Sequence, residues 1–191
     1  YTVRTYLTFA LSILLATSAF AAPASPAGSP VSAVDSDGRT IALPAPARRI
    51  VSLSPGITET LFAIGAGDRL VGRTSYCDYP EAAKALPEVG GFSAKTISVE
   101  LIVSLAPDLV ISSGRIHAEV EAALLRLGIP VFRYAPPGFA DIAAQMRALG
   151  RLAGVEAKAA AAADSLLADL AAIEKLVARV RPADRPSVFW E

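Results

Sequence analysis

The sequence predicts an α/β fold, a lobe built on a parallel β-sheet and followed by one long, rigid α-helix. Three observations predict it. Short apolar runs at 50–53, 70–72, 109–112 and 131–134 have the length and composition of strands buried on both faces. Segments of helical spacing lie between most of them, closed by Gly or Pro, and strands separated in this way imply crossovers and parallel neighbours. An uninterrupted Ala-rich stretch then runs from Glu156 to Arg181, with Leu166/Leu167, Leu170, Ile173, Leu176/Val177 and Val180 at three- and four-residue steps.

Composition narrows the function. The chain has 191 residues and is 53% hydrophobic, enough to bury one sizeable core and begin a second. Its 18 basic residues balance 18 acidic ones and are dispersed, which argues against a nucleic-acid partner, because phosphate binding draws on clustered Lys and Arg. One cysteine, Cys77, and one histidine, His117, leave no internal disulfide, no Cys-rich zinc site and no His-pair metal motif.

Arg4, the apolar run Tyr6 to Ala16 and then Ala19-Phe20-Ala21 read as a cleavable signal peptide over residues 1–21. A membrane anchor needs about 20 uninterrupted apolar residues. Thr8, Ser12, Thr17 and Ser18 break this run, so an exported protein that is not membrane-inserted is expected. Residues 22–30 are small and Pro-rich and read as a flexible leader.

Val31-Ser-Ala-Val34, a Gly-containing turn at 35–38 and Arg39 to Leu43 carry the signal of a β-hairpin. After the first buried strand, Ser54-Pro55 sets a hydroxyl before a proline suited to the first helical position. Ile57, Leu61, Phe62 and Ile64 continue that helix until Gly65 and Gly67 stop it. The second strand leads into the loop Tyr76 to Pro80 and a short helical piece over 81–86. Ser98 begins a helix with Leu101, Ile102 and Leu105 facing inward, ended by Pro107. Helices at 117–127 and 141–153, stopped by Gly128 and Gly154, flank the fourth strand. The Ala-rich rod of about 25 residues would measure roughly 38 Å. Ser187 to Trp190 reads as a further strand.

Enzyme signals are sparse. Gly65-Ala66-Gly67 lacks the third glycine of a dinucleotide fingerprint and follows a helix, and neither a phosphate loop nor a nucleophile elbow occurs. His117 falls on the strand-end side where open α/β sheets hold ligands, and reads as a solvated helix residue, with a direct ligand role as the alternative. Cys77 reads as a small buried residue. Tyr76 and Phe92, in separate loops, could line one rim of a cleft, where aromatic faces suit a large flat ligand. Glu59 and Glu100 sit early in helices, where a carboxylate complements the helix dipole.

Taken in order, Asp37-Gly-Arg-Thr-Ile-Ala-Leu-Pro44, Arg49 to Gly65, Tyr76-Cys-Asp-Tyr-Pro80, Val89-Gly-Gly-Phe92 and Pro107-Asp-Leu-Val-Ile111 resemble the class III, helical-backbone substrate-binding proteins of importers for cobalamin, haem and ferric siderophores. Within that family the Ser-Tyr-x-Asp-Tyr-Pro pattern at 75–80 is similar to the cobalamin-binding branch. The resemblance implies two α/β lobes joined by a single rigid helix. The lobe would span 31–155, the interlobe helix 156–181, and a truncated second lobe would begin at 186–191. It further implies that Tyr76 packs on a corrin and that Phe92 supplies a cleft aromatic. The expected ligand-binding set is Tyr76, Phe92, Ser54, Pro55 and Arg115. Glu100 would dock to arginines of a membrane permease.

The resulting expectation is a periplasmic, monomeric, non-catalytic protein that captures a corrinoid as cargo, without a cofactor, and delivers it to an ABC importer. Two other readings stand beside it. One is the same machine carrying haem or a ferric siderophore; the other is a secreted α/β enzyme whose catalytic residues lie beyond Glu191.

Overall fold

The computed structural model describes residues 29–188. The expected signal peptide and most of the leader lie outside the described residues, as does the end of the expected strand at 187–190. Strands β1 (Val31–Val34) and β2 (Thr40–Leu43) form an antiparallel hairpin. Strands β3 (Ile50–Ser52), β4 (Leu70–Arg73), β5 (Leu109–Ser112) and β6 (Val131–Arg133) form one parallel sheet in the order β4-β3-β5-β6.

Strand residues alternate between two cores because successive side chains leave opposite faces of the pleat. Ile50, Leu109, Ile111 and Phe132 face helices α1 (Pro55–Ala63), α4 (Phe139–Ala153) and α5 (Glu156–Val177), through Ile57, Leu61, Leu149, Leu152 and Ala159. Val51, Val110 and Val131 face the other way, onto α2 (Val99–Ser104) and α3 (Ala118–Arg126), through Ile102, Val120 and Leu124. Full burial of each such side chain contributes about 1.5–3 kcal/mol.

Four details depart from the sequence reading. Ser54 occupies the N-cap of α1 with extended backbone, but its hydroxyl makes no capping bond. The local hydroxyl chain is instead Thr58 Oγ1 donating to Ser52 Oγ at 2.8 Å, which donates to the Ser54 carbonyl at 3.1 Å. Leu101 is half exposed, since the short α2 turns only Ile102 fully inward. The long helix ends at Val177 rather than Arg181, because the Arg179 and Val180 N–H groups reach back only three residues, to the Leu176 and Val177 carbonyls, in tightened turns that do not continue the α-helix. His117 is fully buried rather than solvated, held by hydrogen bonds from both ring nitrogens.

The first half of α5 packs on α4 through Ala159 and Ala163. From Ala171 to Val180 every residue is exposed, including Ile173, Leu176 and Val177.

Candidate functional site

All four parallel strands deliver their C-terminal ends to one edge, the edge at which open α/β sheets hold ligands. Ser54 and Pro55 follow β3, the 74–80 loop follows β4, residues 113–117 follow β5, and Tyr134 to Pro136 follow β6. A groove of about 360 Å³ lined by Leu43, Pro44, Pro46 and Pro130 opens at the opposite edge of the sheet.

The loop after β4 is fastened by Arg73, whose buried guanidinium donates to the carbonyls of Ala83 at 2.8 Å and Thr74 at 3.0 Å and pairs with Glu88 at 3.1 Å. Cys77 is buried beneath the loop, its sulfur 3.1 Å from Thr74 Oγ1, as the sequence suggested. Tyr76 stands clear of this anchor at 61% exposure.

Phe92 is carried by a second loop stitched to the first. The Ser75 N–H donates to the Gly90 carbonyl at 2.8 Å, and the Val89 N–H to the Arg73 carbonyl at 2.8 Å. Gly90 has φ +125°, and a Cβ there would collide with the Thr96 backbone, so glycine is required for this close approach. Phe92 thereby reaches the middle of an aromatic row. Its ring centroid lies 6.1 Å from Tyr76 with planes at 76°, and 6.1 Å from His117 with planes at 71°, both edge-to-face.

His117 is the brace of this row. Its Nδ1 accepts from the Ser113 N–H at 3.0 Å, which places the proton on Nε2, where it is donated to the Phe92 carbonyl at 2.8 Å. Burial holds its pKa below the ordinary imidazole value, against the raising effect of the Phe92 bond and Glu121. With both nitrogens engaged, the ring has no free lone pair for a metal. Among the described residues no cluster of three or more His, Cys, Asp or Glu could hold one.

The sequence-predicted ligand residues fall on this edge but differ in exposure. Tyr76, Phe92 and Arg115 are exposed, Pro55 is half-buried and Ser54 is buried. Glu100 lies apart, exposed in the first turn of α2. The Ser98 hydroxyl donates to its carboxylate at 2.9 Å and accepts from the Leu101 N–H at 3.1 Å. The Glu100 backbone N–H and then Ser98 hold that carboxyl below its usual range.

A polar cluster closes the β6 end of the edge, and sequence reasoning missed it. Glu121 accepts from Ser112 Oγ at 2.5 Å and from Arg133 Nε at 3.1 Å. Arg133 also pairs with Asp37 in the hairpin turn. Burial alone would raise the Glu121 carboxyl, but Arg133 and Ser112 outweigh it and hold it low. These residues are distant in sequence and follow no local spacing, so only the fold brings them together.

The family model described as periplasmic binding protein matches residues 50–191. A vitamin B12-binding protein of Yersinia pestis (strain Pestoides F) is 35% identical over 145 residues, covering 74% of this chain and 51% of that protein. The crystal structure of the periplasmic vitamin B12 binding protein of Vibrio cholerae aligns with TM-score 0.65 and 33% identity, over 72% of this chain and 53% of that one. The apo periplasmic heme-binding protein of Roseiflexus sp. RS-1 aligns with TM-score 0.62 and 33% identity, over 70% and 51%. The chain is a member of the periplasmic binding protein family. It spans about half the length of the curated relatives it matches. No helix among the described residues is long and apolar enough to cross a membrane.

Proposed function

We propose that the protein is an exported, periplasmic, non-catalytic binding protein that captures a corrinoid and hands it to the permease of an ABC importer. The observation that carries this reading is the exposed edge-to-face pair of Tyr76 and Phe92, held on the ligand edge by loops that are themselves anchored. Rings presented in this way offer an apolar surface to a large planar macrocycle. The likeness to vitamin B12-binding proteins favours a corrin as that macrocycle.

In this reading residues 31–155 form the first lobe, α5 continues towards a second lobe that begins near residue 186, and the cargo sits between them. Tyr76, Phe92, Pro55 and Arg115 contact it, with Ser54 beneath. Glu100 is the docking carboxylate, free of any cationic partner among the described residues and kept ionised by its helix turn. His117 acts as the brace of Phe92 and not as an iron ligand. A haem cargo is the second reading, favoured by the Roseiflexus neighbour.

Calorimetric titration of the full-length protein with cyanocobalamin and with haem separates the two. One-to-one cobalamin binding supports the corrinoid reading. Haem binding alone moves the cargo to an iron porphyrin, and binding of neither overturns both.

A further inference from the structure

The β1–β2 hairpin precedes the residues matched by the family model, yet its turn is built into the ligand edge. The Ser36 N–H donates to the Arg133 carbonyl at 3.0 Å, the Ala135 N–H donates to Ser36 Oγ at 2.8 Å, and Asp37 pairs with the Arg133 guanidinium. The turn is also rigid within itself, since Asp35 accepts the Asp37 and Arg39 N–H groups at 2.9 Å each. Asp37 is thus set against the end of β6 with its side chain 41% exposed.

Beside it opens a cavity of about 460 Å³, lined by Asp37, Gly114, Arg115, Arg133 and Ala135. Arg115 is exposed and makes no ion pair or side-chain hydrogen bond among the described residues. It lies two residues before His117, so one segment after β5 carries both a wall of this cavity and the end of the aromatic row.

We infer that this cavity is a carboxamide subsite, in which Asp37 accepts from, and Arg115 donates to, a primary amide on the rim of the bound macrocycle. A carboxylate ion offers acceptors only and would meet like charge from Asp37, whereas an amide supplies the donor that Asp37 needs and the acceptor that Arg115 needs. Arg133 does not compensate a second anion, because Glu121 and Asp37 already neutralise it. The subsite rests on the corrinoid reading and deepens it, since a corrin carries amide arms where a haem carries carboxylates.

The test compares dicyanocobinamide, with its amide arms, against dicyanocobyrinic acid, the same ring bearing carboxylates, by calorimetry on the full-length protein. Wild type binds the amide form more tightly. Asp37→Asn keeps a carbonyl for Arg133 but removes the charge, and narrows the preference about three- to tenfold, the weight of one hydrogen bond. Arg115→Gln, at an exposed and unpaired position, widens it by weakening the acid more than the amide. Corrinoid binding with the preference unmoved in both variants overturns the subsite and leaves the cargo class standing. Failure of the wild type to bind either corrinoid overturns the cargo reading and the subsite with it.

Discussion

His117 donates from Nε2 to the carbonyl oxygen of Phe92 at 2.8 Å, across 25 residues of sequence, and so ties the loop that carries an exposed aromatic ring to the segment after β5. The ring is fully buried and its other nitrogen is satisfied by Ser113. Replacing it by Ala leaves the Ser113 N–H and the Phe92 carbonyl short of partners, at a cost of about 1–3 kcal/mol. Urea denaturation of His117→Ala measures this, and an unchanged midpoint would remove the ring from its bracing role.

The same residue gives the protein a pH dependence of defined sign. Burial lowers the His117 pKa on folding, so the unfolded chain binds its proton more readily. Its contribution is complete above the unfolded value of about 6.5 and is lost as pH falls below it towards the folded value. The wild-type midpoint should drop between pH 7.5 and 5.5, and His117→Gln should flatten that drop. Glu121, whose pKa is lowered on balance by Arg133 and Ser112, acts in a separate window below about pH 4.5.

Tyr76 carries no structural burden comparable to its exposure. Tyr76→Ala should therefore leave stability within about 0.5 kcal/mol, while weakening ligand binding by roughly 1–3 kcal/mol if the ring is a desolvated anchor. Equal affinity of the variant and the wild type in calorimetry would return Tyr76 to loop surface.

Glu100→Arg reverses the charge on the exposed first turn of α2 without touching the ligand edge. Cargo affinity should be preserved and uptake through the cognate importer strongly impaired. Normal transport by this variant would take Glu100 out of docking.

Gly150 of α4 faces Ala159 of α5 with no room for a side chain between them. A Cβ there would overlap that of Ala159, with the Glu156 backbone 3.6 Å away. Gly150→Ala should destabilise by about 1–3 kcal/mol through overpacking, despite its gain in helix propensity. A midpoint raised by the substitution would mean the two helices part without strain.

The order of elements was legible because buried strands and Gly- or Pro-terminated helices leave local patterns, as at Leu109 to Ser112 and Ile57 to Gly65. Tyr76 and Phe92 were legible as aromatic residues of two separate loops, the first of which follows a strand. Their edge-to-face contact was not, since it depends on Gly90 and on hydrogen bonds between loops. His117 was misread as solvated because nothing in its neighbours announces a carbonyl 25 residues away. Asp37, Glu121 and Arg133 were invisible for the same reason, each looking in sequence like an ordinary surface charge.

The contact of α5 with α4 has a geometric consequence. Its last fully buried residue is Ala163, Leu166 and Leu167 still pack partly buried on the same core, and from Ala171 to Val177 the helix runs in solvent. Those seven residues at 1.5 Å make an unsupported arm of about 10 Å. A tilt of one degree at its base moves the tip by roughly 0.2 Å over that reach. The direction in which the chain leaves Val177 is thus set by the seating of Ala159, Ala163, Leu166 and Leu167, which act together as the fulcrum of a lever.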